Sequence, residues 1–280
     1  MFSVREDLAR NNLKPEDAGQ AFWDWIAIHE ELSEDDMREF QDKFNWRKLS
    51  DHQKHLTESF IREFSDRVHW DRISQRIQMS ETFIEEFHDK VTWDYIWSYQ
   101  RKLSCDFIEK HLKNVNWGRV VVYQKLTDDF IKNHVSDMSI YDILHYQKPK
   151  KDLIEFLEEY AKQLPEGKRK HYEEKILEHK IYYTSDVTEK EILQFLSNRK
   201  KHNWGGTGWW DVLENQKLNE KFIEEHYEEI KNDSYAFVHI WRHQILSEEF
   251  LKKHEEDVNW SKVKQNRRIK KTKWIKEKIK

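Results

Sequence analysis

One cysteine, three prolines and six glycines in 280 residues put several architectures out of reach. Cys105 alone can form no intrachain disulfide, and a cysteine-based metal site goes with it. Apolar runs are short, so no segment reads as a membrane span, and the start of the chain, charged from Arg5 onward, carries no secretory-leader pattern. HExxH, GxSxG, P-loop and zinc-deaminase spacings are all missing. The expectation is therefore a cytoplasmic protein that is not an enzyme and holds no metal or cofactor. With a formal net charge of −4, the whole chain has no strong nucleic-acid or membrane signature either.

What is abundant is charge and tryptophan. Charged residues make up 36% of the chain, apolar residues only 37%, and Trp occurs 13 times. Such a composition suits a thin core with much surface. Each large aromatic buries ~150–250 Å², or ~4–6 kcal/mol gross per ring at ~25 cal/mol per Å². The Trp residues are expected to build the core.

Their placement is periodic. Leu32, Leu56, Met79, Leu103, Leu126, Leu218 and Leu246 each open a unit, and the first five are spaced alternately 24 and 23 residues apart. Ser33, Thr57, Ser80, Ser104, Thr127, Asn219 and Ser247 follow as helix N-caps, with acids in the first turn where they oppose the helix dipole. An aromatic–aliphatic pair comes next, as in Phe60-Ile61 and Phe83-Ile84, and then Phe64, Phe87, His111, His134, His226 or His254 on the same stripe. This first helix, A, is predicted to run about three turns. Fourteen residues after the opening residue stands Trp46, Trp70, Trp93, Trp117 or Trp260, or Ile140 in one copy, starting a shorter helix B. Gln53, Gln100, Gln124 and Gln147 lie seven residues beyond, and Trp209–Gln216 and Phe237–Gln244 repeat that half.

Two short helices cannot bury a face alone, but stacked copies can. The period predicts an all-α superhelical solenoid of two-helix repeats of about 23–24 residues with an irregular middle insert. Residues 1–31 read as an N-terminal cap and 32–147 as regular repeats. Pro149 interrupts the array, and 148–208 read as diverged repeats with a Gly-rich loop. Within that insert, Pro165-Glu-Gly167 is expected to form a turn, 168–183 a long helix outside the repeat pattern, and 187–200 a helix capped by Thr188. The repeat resumes over 209–261, and 262–280, with ten Lys/Arg and one acid, read as a basic cap or tail.

Candidate sites lie where the array departs from its rule. The segment Ser197–Trp210 is expected to be a loop. Arg199, Lys200, Lys201 and His202, followed by Trp204, Gly205, Gly206, Gly208 and Trp210, could hold a phosphate and a base; the competing reading is an insertion whose Trp residues return to the core. Arg267, Arg268, Lys270, Lys271 and Lys273 could meet nucleic acid or an acidic partner. Trp25, Trp97, Trp210 and Trp241, outside the repeat register, are candidates for a partner surface or for partial burial in helix B. The Gln series reads either as a ladder contacting a ligand or as a backbone clasp between repeats, and its near-constancy favours the clasp. The four His at the Phe position read as half-buried structural rings.

The unit L-S-x-x-F-I-x-x-[FH]…V-x-W-x-x-I…Q resembles the tandem Trp-containing helical repeats of bacteriophages and large DNA viruses, over roughly 20–147 and 209–265. That resemblance implies an interaction module with a protein partner, such as a host factor inhibited or sequestered in the host cytoplasm. A nucleotide or nucleic-acid binder using the 199–210 loop and the basic tail is the alternative. Oligomeric state is open at this level.

Overall fold

The computed structural model describes residues 3–185, 187–202 and 207–280. Among them every regular element is helical, and no helix is long and apolar enough to cross a membrane. The chain forms two compact units, one ending at Lys148 and one spanning Pro149–Lys280. Each is an all-α stack of repeats.

The caps are where the sequence places them. Ser80 Oγ accepts the Phe83 N–H, and Ser33, Thr57, Ser104, Thr127, Asn219 and Ser247 do the same for the residue three positions on. The first-turn acid then serves the next repeat. Glu34 Oε1 accepts the Thr57 N–H at 2.9 Å, and Glu58, Glu81 and Glu220 accept the N–H of Ser80, Ser104 and Ser247.

Helix A is shorter than expected. Glu58–Glu63 and Glu81–Glu86 are six residues each, under two turns. Phe64 and Phe87 leave helical geometry at φ −110° and −113°. Val68 N–H still bonds Phe64 O, so the apolar stripe runs on through the break and hides it.

B helices make the continuous layer. In the first unit Gln20–His29, Trp46–His52, Trp70–Arg76, Trp93–Tyr99 and Trp117–Tyr123 pack side by side in chain order, and Ile140–Asp142 continues as a wider π-turn over Ile143–Gln147. Their third residue after the Trp (Leu49, Ile73, Ile96, Val120) is fully buried. In the second unit Glu166–Tyr183, Trp209–Asn215, Ser234–His243 and Trp260–Gln265 form the equivalent layer. Two expectations for the insert change here. Pro165 is the N-cap of the 166–183 helix, so Glu166 and Gly167 are helical rather than a turn. That helix also belongs to the array, because Gln216 clasps its end as other Gln residues clasp a B helix.

The clasp recurs at five joints with one geometry. Gln100 Nε2 donates to Ser74 O and Ile77 O at 3.1 and 2.7 Å, and its Oε1 accepts the Met79 N–H at 2.8 Å. Gln53, Gln124, Gln147 and Gln244 bridge the same three backbone groups. Asn266 takes over at the last joint by bonding Trp241 O and Gln244 O. These side chains spend their amides on backbone and hold repeats together.

The Trp expectation holds in part: at the repeat position Trp23 and Trp209 are fully buried. Trp46, Trp70, Trp93, Trp117 and Trp260 are half-buried, not core. Trp46 and Trp70 stack on Phe64 and Phe87 of the next A helix, and Trp93 and Trp117 on His111 and His134, with centroids 4.7–5.0 Å apart. The Nε1 of Trp46 and of Trp70 donates to the carbonyl five residues earlier at 2.9 Å. By contrast, Trp97 and Trp241 are fully enclosed. They occupy the fourth position after the repeat Trp, where Ala27, Ser50, Ser74, Val121, Leu144 and Leu213 are also buried. Because that core position drifts from Ser to Trp, its burial was invisible in the pattern.

Candidate functional site

Arg199, Lys200, Lys201 and His202 are not in a loop. The helix capped by Thr188 runs Glu189–His202 and carries them in its last turn. Basic residues there oppose the negative end of the helix dipole. Arg199 Nη2 pairs with Asp211, whose other oxygen accepts the Tyr182 hydroxyl at 2.9 Å. Asp211 is buried. Burial works against the Arg199 charge, but the Asp211 carboxylate outweighs it and leaves the pKa raised. Burial, then Asp211, push the Tyr182 hydroxyl well above its ordinary range. Lys200 pairs with Glu229, and His202 lies 3.6 Å from Glu174. Lys201 is exposed. Gly208 has φ +86°, and a Cβ there would meet Arg199, Leu196 and Phe195 at 3.2–3.3 Å. Its role is thus to turn the chain tightly into Trp209. Trp204, Gly205 and Gly206 lie outside the described residues.

The described part of this segment is therefore a structural joint. Arg199 and Lys200, expected to meet phosphate, meet carboxylates of their own chain. Trp210 does project outward, 47% exposed.

In the tail, Thr272 caps a short helix over Lys273–Lys278. Lys271 Nζ is turned inward onto Asn266 O at 2.7 Å and onto Val263 O, and burial lowers its pKa. Arg268 Nη1 bonds His243 O at 2.6 Å. Arg267, Lys270 and Lys273 are exposed. Of the five cations singled out, two are thus fastened to backbone carbonyls.

A surface feature of a different kind comes from the B layer of the first unit. Six residues after the repeat Trp position, successive helices carry Tyr99, Tyr123 and Tyr146, which are 44%, 55% and 45% exposed. The same position holds His29, His52 and Arg76 earlier in the layer. Equivalent positions on neighbouring helices share a face, so the three tyrosines form a stripe across three adjoining helices. Tyr141, also exposed, lies beside the His145 ring with centroids 6.0 Å apart, and Tyr95 lies edge-on to Tyr99 at 5.9 Å. The stripe was missed in the sequence because it sits one residue before the constant Gln, on a polar position of the consensus.

A second cluster was also missed. Glu214, near the end of Trp209–Asn215, and His239 and His243, one turn apart on Ser234–His243, bring a carboxylate oxygen and two ring nitrogens within 4.8 Å of one another. The H-x-x-x-H spacing was readable in the sequence, but its partner lies one repeat away.

No family model, curated protein or solved structure matches the chain.

Proposed function

We propose that this chain is a non-enzymatic helical-repeat binding protein that presents the B-layer face of its first unit to a folded protein partner. The observation that carries this reading is the exposed stripe Tyr99, Tyr123 and Tyr146. Tyrosine gives a large, amphipathic contact area at a low entropy cost and is enriched at interfaces. Three rings at one repeat position on adjoining helices offer that area as a row. The likeness to phage and large-DNA-virus repeats supports a host protein as the partner, inhibited or sequestered in the host cytoplasm.

The test is a capture experiment with the intact chain as bait, in host lysate with and without nuclease treatment. The bait is compared with the triple variant Tyr99→Ser/Tyr123→Ser/Tyr146→Ser and with the control Tyr183→Ser/Tyr235→Ser, which alters exposed tyrosines elsewhere. A truncated interface anchor costs on the order of 1–2 kcal/mol, about tenfold in affinity per ring. One protein retained by wild type and control and lost by the folded triple variant is the expected result. Equal capture by all three would remove the stripe from consideration. Capture that disappears with nuclease would redirect attention to Arg267, Lys270 and Lys273.

A further inference from the structure

We propose that Glu214, His239 and His243 bind a divalent transition-metal ion of the zinc class. The cluster lies within the second unit and shares no residue with the tyrosine stripe of the first, so it stands or falls apart from the reading above.

Three observations converge. First, the ligand types and spacing suit the chemistry. Residues four apart on a helix point the same way, and His239 and His243 do so with ring planes 13° apart and centroids 5.0 Å apart. Imidazole with one carboxylate is a borderline donor set that favours zinc, nickel and cobalt over magnesium or calcium. Second, each imidazole has a nitrogen in want of a partner. His239 Nδ1 and His243 Nε2 are shut off from solvent and make no hydrogen bond. A polar atom left that way is costly, and a metal bond is one means of relieving it. Third, a carboxylate stands beside them. Glu214 is exposed, its charge acts on both imidazoles, and it comes from the helix packed most extensively on the His-bearing one.

The local electrostatics are mixed but compatible. Burial lowers the pKa of both imidazoles; His243 adds to this at His239, Glu214 opposes it at both, and Arg242 beside both, Lys262 near His239 and Arg268 near His243 act in the same direction as burial. Ligation uses the neutral ring, and binding at either imidazole is therefore favoured as pH rises. The same cations oppose an incoming dication, and Glu214 is the group that offsets them.

Tetrahedral zinc with ligand bonds of about 2.0–2.2 Å sets its donor atoms about 3.3 Å apart. From separations of up to 4.8 Å, closure needs a movement of roughly 1.5 Å, within reach of ring rotation and an exposed Glu side chain. Three protein ligands leave a fourth position for water. Trp210 meets the His239 ring edge-on at 5.9 Å, covering one side of the cluster.

The experiment titrates the metal-free full-length chain with Co²⁺, read by its visible absorption, and with Zn²⁺ by calorimetry. The comparison variants are Glu214→Gln and His239→Gln/His243→Gln, each checked for helical content. One saturable equivalent is expected in wild type, with d–d bands of a low-coordinate site. Affinity should fall at least tenfold in Glu214→Gln and the equivalent should vanish in the double variant. Glu214 is exposed, so its variant reports even if the His pair proves necessary for folding. Absence of a saturable equivalent in wild type, or unchanged titration in the folded variants, would overturn the assignment.

Discussion

Gln100 is 1% exposed, and all its amide groups are spent on backbone, two carbonyls of the preceding B helix and the N–H of Met79, which opens its own repeat. Truncation would strand two carbonyls and one N–H in a dry joint. Leaving buried polar groups unpaired costs about 1–3 kcal/mol each at most, and water or relaxation recovers part of it. Gln100→Ala is therefore expected to cost about 2–4 kcal/mol in chemical denaturation. An effect below about 0.5 kcal/mol, the scale of an ordinary surface change, would mean the clasp is ornamental. Histidines act at the same scale but through protons. His179 is buried, its Nε2 is unpartnered, and burial lowers its pKa; His111, His239 and His243 are lowered too, with burial first among the causes. Folded imidazoles then bind protons less readily than unfolded ones, whose pKa is near ~6.5. Their stability contribution is full above that value and is lost as pH falls through it toward the folded pKa. Calorimetry should show Tm dropping between pH 7.5 and 5.5. His179→Phe should narrow the drop by removing one of the four groups. An unchanged or wider drop would show that His179 does not take part.

Single elements show what pattern can and cannot reveal. Caps were legible because Ser, Thr or Asn followed by acids has a local cause, and each predicted cap accepts its hydrogen bond. The six-residue length of helix A was not legible, since Phe60, Ile61, Phe64 and Val68 keep a helical period across the place where the helix stops. The last turn of Glu189–His202 looks like loop in the sequence because of the glycines that follow it. Lys and Arg in a final turn are an ordinary helix ending, and that reading competes on equal terms with a phosphate site until Asp211 is seen. Asp211 itself gave no hint, being one acid among many. Its burial with Arg199 and Tyr182 depends on three elements meeting. The tyrosine stripe and the Glu214–His239–His243 cluster were hidden for the same reason, as both join residues that only stacking brings together.

At the scale of the molecule, a fixed period told the architecture almost by itself, because each repeat is held mainly by its neighbours. The interruption at Pro149 coincides with the start of the second compact unit. Proline there cannot donate a backbone bond, and Lys148 just before it has a positive φ of 51°. Similarity of repeats, however, makes the exceptions informative. Between the B helices Trp46–His52 and Trp70–Arg76, the residue in the clasp position is Ile77, fully apolar and buried. No amide there receives the Leu56 N–H, as Gln100 receives that of Met79. A row of identical latches with one left undone opens first at that place. The first unit thus carries a built-in yield point, and mechanical or thermal stress on it should begin as a parting of the chain around Leu56 while the later repeats stay shut. Amide hydrogen exchange should find the Leu56 N–H faster than those of Met79, Leu103 and Leu126, and Ile77→Gln should slow it toward theirs.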